Sequence, residues 1–157
     1  MMKHSLFIVF TIIYFQSSFA QAGFKVCDSE SIYTIEDPKL EIYYKEKKHK
    51  VASQYPKFKG GKAEVEKYFV KNVTLDSGEQ NQLIKRIVIG FTVDCNGNPG
   101  NSWIMSKEQS ELVIKVQNLV ESMPKWEPAV HKKKNVDCNT RLIISVSGSQ
   151  ILVKYKE

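Results

Sequence analysis

The stretch from Leu83 to Cys95 constrains the fold most. Ile87, Ile89, Phe91 and Val93 occupy alternate positions, so an extended chain here carries one strongly apolar face. Asn96-Gly97-Asn98 follows at once. Both residue types tolerate positive φ, which makes the stretch a hairpin turn. The return strand falls at about Asn101 to Ser106, with Trp103 and Met105 on one face and Ile104 on the other. A hairpin with one apolar face needs a second layer to cover it.

Two amphipathic helices can supply that layer. After Gly60-Gly61, the residues Val65, Tyr68 and Phe69 recur at helical spacing within Lys62 to Asn72. The stronger helix spans about Glu108 to Met123, with Leu112, Val116, Leu119, Val120 and Met123 in one stripe. Pro124 ends it, because proline disfavours a helical residue before it. A third strand at about Val136 to Val146 sets Leu142, Ile144 and Val146 on one face. Ser147-Gly148-Ser149-Gln150 then forms a turn, and Ile151, Val153 and Tyr155 alternate in a final strand.

Ahead of these elements lies a polar lead-in. Asp37-Pro38 reads as a turn, and Leu40, Ile42 and Tyr44 alternate as one short strand. The sequence leaves open whether this lead-in packs on the domain. Thr74 to Gln82 is a polar loop. The long helix runs back over the sheet, so the third strand finds an antiparallel place beside the first, in the spatial order second, first, third. The expected architecture is α+β: a three- or four-stranded antiparallel sheet with both helices on one face.

The beginning of the chain reads as a secretory signal. Lys3 and His4 form a basic start, Ser5 to Phe15 an uncharged apolar run, and Ser18-Phe19-Ala20 a cleavage site. The run is short against the roughly 20 apolar residues of a membrane-spanning helix; an uncleaved anchor is the alternative. Lys25-Val26 before Cys27 lacks the small residues of a lipoprotein signal. The expected organisation is a signal at 1–20, the lead-in at 21–54 and one domain at 55–157. The product is periplasmic or secreted, without a stable membrane anchor after processing. The net charge is +6, with lysines gathered at 45, 47, 48 and 50 and again at 132–134. These runs read first as solvated loops, and export argues against nucleic acid as a partner.

Three cysteines are present, Cys27, Cys95 and Cys138. An odd count in an exported protein suggests one pair and one remainder. Cys95 ends the first strand and Cys138 begins the third, so antiparallel pairing brings them together on one face. A Cys95–Cys138 disulfide is expected, with two buried thiols as the alternative. Cys27 is then the thiol left over and the one candidate nucleophile. His49 and His131 each sit within a lysine run, so no metal site and no cofactor is expected. No Gly-x-Ser-x-Gly elbow occurs, and Gly60-Gly61 and Gly97-Asn98-Pro99-Gly100 read as turns rather than phosphate loops. Catalysis is not expected.

Three stretches carry a family resemblance. Tyr55-Pro56-Lys57-Phe58-Lys59-Gly60-Gly61 resembles the motif that opens TonB C-terminal domains. Met123-Pro124-Lys125-Trp126-Glu127-Pro128-Ala129 resembles the motif that follows their long helix. Val93-Asp94-Cys95-Asn96-Gly97-Asn98 resembles the hairpin of such domains in Bacteroidetes. The resemblance implies a periplasmic adaptor that grips an extended peptide, such as one from an outer-membrane transporter, by adding it to a sheet edge. The chain departs from force-coupling members, because its five prolines cannot build a long stiff spacer. The expected function is an exported module that engages an envelope protein or peptide by strand addition, linked to TonB-dependent transport. A structural or accessory envelope protein without transporter coupling is the alternative, and a homodimer is left open. Ile151, Val153 and Tyr155 form the preferred edge, with Ile144 and Val146 as fallback; for any one of these residues, ordinary strand core is the first reading.

Overall fold

The computed structural model describes residues 24–28, 30–43, 50–75, 85–107 and 109–157. The proposed signal at 1–20, most of the polar loop at 74–82, and Tyr44 lie outside them. The chain begins with β1 (Tyr33–Thr34), α1 (Pro38–Tyr43), β2 (Lys50–Val51), β3 (Lys57–Phe58) and α2 (Gly61–Asn72). The hairpin β4 (Lys85–Val93) and β5 (Pro99–Ile104) follows, then α3 (Glu111–Glu121). The remaining strands are β6 (Trp126–Glu127), β7 (Ala129–His131), β8 (Lys134–Val136), β9 (Cys138–Ser147) and β10 (Gln150–Lys154).

The expected hairpin forms, and the third strand lies antiparallel beside the first, giving β5-β4-β9 with β10 on the far side of β9. Ile87 faces Ile144 and Ile89 faces Leu142 across β4 and β9, so the two alternating patterns meet on one side of the sheet. Both amphipathic helices cover that side. Val65 and Phe69 of α2, and Leu112, Val113, Val116 and Val120 of α3, share a core with Ile87, Ile89, Phe91, Leu142 and Ile144. The fold is α+β, as the order of periods implied.

The sheet is nonetheless wider and of mixed direction. β1 pairs parallel with the first residues of β9, and β2 pairs parallel with β1, which makes six strands in all. The described part of the lead-in is therefore built into the domain. Ile35, Leu40 and Ala52 form a second core with Ala129 and Cys138, against which Trp103 and Met105 pack. Trp103 stands opposite Gly90, so it points away from the side that Ile89 occupies.

The strand expected at Leu40, Ile42 and Tyr44 is a correction: the chain is helical from Pro38 to Tyr43. Asp37 explains it. Its Oδ1 accepts the Lys39 N–H at 3.0 Å and its carbonyl accepts the Leu40 N–H at 3.0 Å. Pro38 sits at the first helical position, where its missing donor costs nothing. What read as a turn before a strand is a helix cap.

Candidate partner-binding edge

A sheet offers its main chain to a partner only along an unpaired edge. The outer edge of β5 is occupied. The Ser102 N–H and hydroxyl both donate to Glu121 Oε1, at 3.2 and 2.7 Å, and Gln117 Nε2 donates to the Ser102 carbonyl at 3.0 Å. Side chains of α3 thus stand where another strand would bind. At the opposite end β2 is only two residues long.

The edge of β9 is also covered, which corrects the fallback site. Val153 lies opposite Ile144 and Ile151 opposite Val146, so these β9 residues present nothing to a partner. β10 remains. Ser147 and Gln150 close a two-residue loop with Gly148 at φ 58. The closing pair of such a hairpin exchanges both main-chain bonds, and bonded and non-bonded pairs then alternate. Leu152 and Lys154 therefore bond to β9, while Ile151 and Val153 direct N–H and C=O outward. Among the described residues no strand pairs with that outer side.

The side chains of the preferred edge residues behave differently from their main chain. Ile151, Val153 and Tyr155 are all buried in the main core, and Tyr155 lies just past the end of β10. The Tyr155 hydroxyl accepts the Phe58 N–H at 3.4 Å. Burial of the ring and the nearby Glu157 carboxylate hold its phenol well above the ordinary range. The outward-looking side chains are Lys154 and Leu152, and Leu152 is 51% exposed. The side chains of Ile151, Val153 and Tyr155 are core, while an unpaired main-chain edge runs along Ile151 and Val153 and does not include Tyr155, which lies beyond β10.

The three stretches that carry the resemblance converge on Trp126. Phe58 of the first pairs with Trp126 of the second across β3 and β6, with ring centroids 5.3 Å apart and edge to face. Gly97 of the hairpin accepts the Trp126 N–H through its carbonyl at 2.8 Å. Phe91 and Tyr155 complete the aromatic cluster at 5.3 and 5.2 Å from the same indole. The buried Trp126 ties the β3–β6 ribbon to the main sheet and braces the chain just beyond β10.

The disulfide is a second correction: Cys95 bonds to Cys27, with Cα atoms 6.0 Å apart, and Cys138 is a buried free thiol. Cys138 stands opposite Val93, where β4 ends. Asp94 ends the strand there: its Oδ1 accepts the N–H groups of Asn96 and Asn98 at 2.8 and 2.7 Å. Cys95 therefore lies in the turn, beyond the register that would oppose Cys138. The buried Asp137 carboxylate holds both arms of the bridge, accepting the Cys95 N–H at 2.7 Å and the Asp28 N–H at 2.8 Å.

Cys27 is thus a structural half-cystine, not an available nucleophile. Burial pushes the Cys138 thiol up to about 12, so it stays protonated and is not a ready nucleophile either. The Cys27, Cys95 and Asp137 donor atoms lie within 4.8 Å of one another. The sulfurs bond each other and both carboxylate oxygens accept backbone donors, so that group has no free ligand set. Among the described residues, no helix is long and apolar enough to cross a membrane. Compared with known proteins, the chain matches no family model, no curated protein and no solved structure.

Proposed function

We propose that this chain is an exported, TonB-C-terminal-like binding module that captures an extended segment of an envelope protein along β10, in the manner implied for transporter partners of that family. The observation that carries the reading is the outer edge of β10, the one long strand whose outer side lacks both a pairing strand and side-chain caps among the described residues. An edge of this kind supplies affinity through main-chain bonds, and alternate side chains supply selectivity. Convergence of the three motif stretches on Trp126 supports the same reading. So does the disulfide, which suits an oxidising compartment.

The test is site-specific photo-crosslinking in a cell-envelope fraction, with the photoreactive residue placed at Leu152. Ile114, equally exposed on α3, is the control position. A discrete adduct from position 152 that is missing from position 114 is the expected result. No adduct at 152, or the same adducts from both positions, defeats strand capture and leaves the accessory envelope role.

A further inference from the structure

We propose that the notch between the start of α1 and the end of β10 is a carboxylate-binding site, taking an acidic side chain or the terminal carboxylate of the captured peptide. This proposal rests on the strand-addition reading for its ligand, and its site is defined separately.

The outer side of β9 has two tenants. β1 runs beside its first residues and β10 begins to pair at Ile143. Between them lies a cavity of about 270 Å³ lined by Asp37, Arg141, Ile143, Lys154, Tyr155 and Lys156. Three of the six lining residues are cationic. Asp37 is already committed, because Oδ2 accepts Arg141 Nε at 2.6 Å and Oδ1 accepts the Lys39 N–H. That ion pair fixes the guanidinium plane without saturating it, since the buried Arg141 Nη1 has no acceptor among the described residues. A planar fork of donors, oriented and incompletely used, is the group that recognises a carboxylate.

The two lysines differ in what they are free to do. Lys156 donates to the Glu36 carbonyl at 2.6 Å and lies 5.4 Å from the centre of the Tyr55 ring. Lys154 is exposed, and no described carboxylate lies within ion-pair distance of it. Lys154 stands opposite Ile143, and Arg141, two residues along β9, shares that face. A peptide strand laid on the outer side of β10 projects every second side chain over the same face. An acidic residue there, or a chain end, meets Lys154 first and the guanidinium behind it. Ile143 offers an apolar wall to the aliphatic stem.

The test is a ¹⁵N NMR titration of the oxidised protein at constant ionic strength with three small probes. N-acetyl-glutamate α-amide carries a side-chain carboxylate, N-acetyl-valine a terminal one, and N-acetyl-glutamine α-amide neither. Saturable shifts of the Arg141 Nε–H and Lys154 amide signals with at least one acid, and none with the neutral amide, are expected. The stronger acid identifies the source. Lys154→Met, at an exposed position, should weaken that acid about five-fold, the size of one partly exposed ion pair. Equal shifts from the neutral probe, non-saturating shifts, or undiminished affinity in Lys154→Met overturn the proposal and leave the guanidinium as the partner of Asp37 alone. Strand addition is read separately, by protection of the Ile151 and Val153 amides when an extended peptide binds. Either idea can fail alone.

Discussion

Trp126 donates its backbone N–H to the carbonyl of Gly97 at 2.8 Å, so the turn of the central hairpin is fastened to the β3–β6 ribbon. Gly97 has φ 86, and a Cβ there would lie 2.0 Å from the Trp126 carbonyl oxygen. Neither the left-handed backbone nor the main-chain neighbour can yield cheaply. Gly97→Ala should therefore lower unfolding free energy by about 2–4 kcal/mol. Urea denaturation measures the loss, and a change below about 0.5 kcal/mol, the scale of an ordinary surface substitution, would show that the turn is not fastened.

The Cys27–Cys95 bridge spans 68 residues of sequence. In the chain-entropy model a loop of that length stabilises the fold by about 4 kcal/mol. Non-reducing peptide mapping should recover linked Cys27 and Cys95 peptides, with Cys138 alkylated only after unfolding. The Cys27→Ser/Cys95→Ser double variant should melt well below the oxidised protein and be insensitive to reductant. A Cys95–Cys138 linkage in the map would refute this arrangement.

Cys138 makes stability fall in alkali. Its folded pKa is raised from 9.0 to about 12 by burial, so the folded state keeps a proton that the unfolded state releases. That stabilisation is present in full below pH 9 and is lost as pH rises through 9 towards 12. The loss between pH 8 and 10 should be about 1 kcal/mol. The buried Tyr155 phenol shifts in the same direction and adds to the decline at higher pH. Cys138→Ala should flatten the slope between pH 8 and 10 while lowering stability overall, as followed by denaturation at a series of pH values. An unchanged slope would show that the thiol is not the titrating group.

What the sequence made legible follows from periodicity. Ile87 to Val93 and Leu142 to Val146 alternate cleanly, and Leu112 to Val120 repeats at helical spacing, because each segment has one face in the same core. Short elements carry no such signal. Around Leu40 the alternation suggested a strand, yet a single cap at Asp37 with Pro38 behind it was enough to set a helix. The cysteine pairing failed for a local reason. Asp94 folds the chain back onto Asn96 and Asn98, which removes Cys95 from the strand register; an aspartate ahead of Asn-Gly is the clue that was present. The Arg141–Asp37 contact joins residues 104 apart in the chain. One arginine in an alternating strand does not announce its partner, so the notch was invisible before the fold.

Lys132 and Lys133 occupy the turn between β7 and β8 with φ 48 and 64. Two successive left-handed residues suit a tight hairpin, but asparagine and glycine fill those positions at lower cost than lysine. Lys132→Asn with Lys133→Gly should raise stability by about 1 kcal/mol. Thermal melts of the oxidised protein decide the point: a lower melting temperature would mean that the lysines make contacts stronger than the strain they bear.

The unpaired edge itself is measurable without a partner. Leu152 and Lys154 direct their N–H groups to β9, whereas Ile151 and Val153 direct theirs outward. All four sit in one short strand, so differences in local unfolding are small and the hydrogen bond decides the rate. Amide exchange should show Ile151 and Val153 faster than Leu152 and Lys154 by on the order of ten-fold, the effect of one intramolecular bond. Leu152→Lys, at an exposed position on the same strand, should leave that alternation intact, because it changes a side chain and not the ladder. If all four amides were equally slow, another part of the chain would already occupy the edge, and β10 would be unable to take up a partner strand.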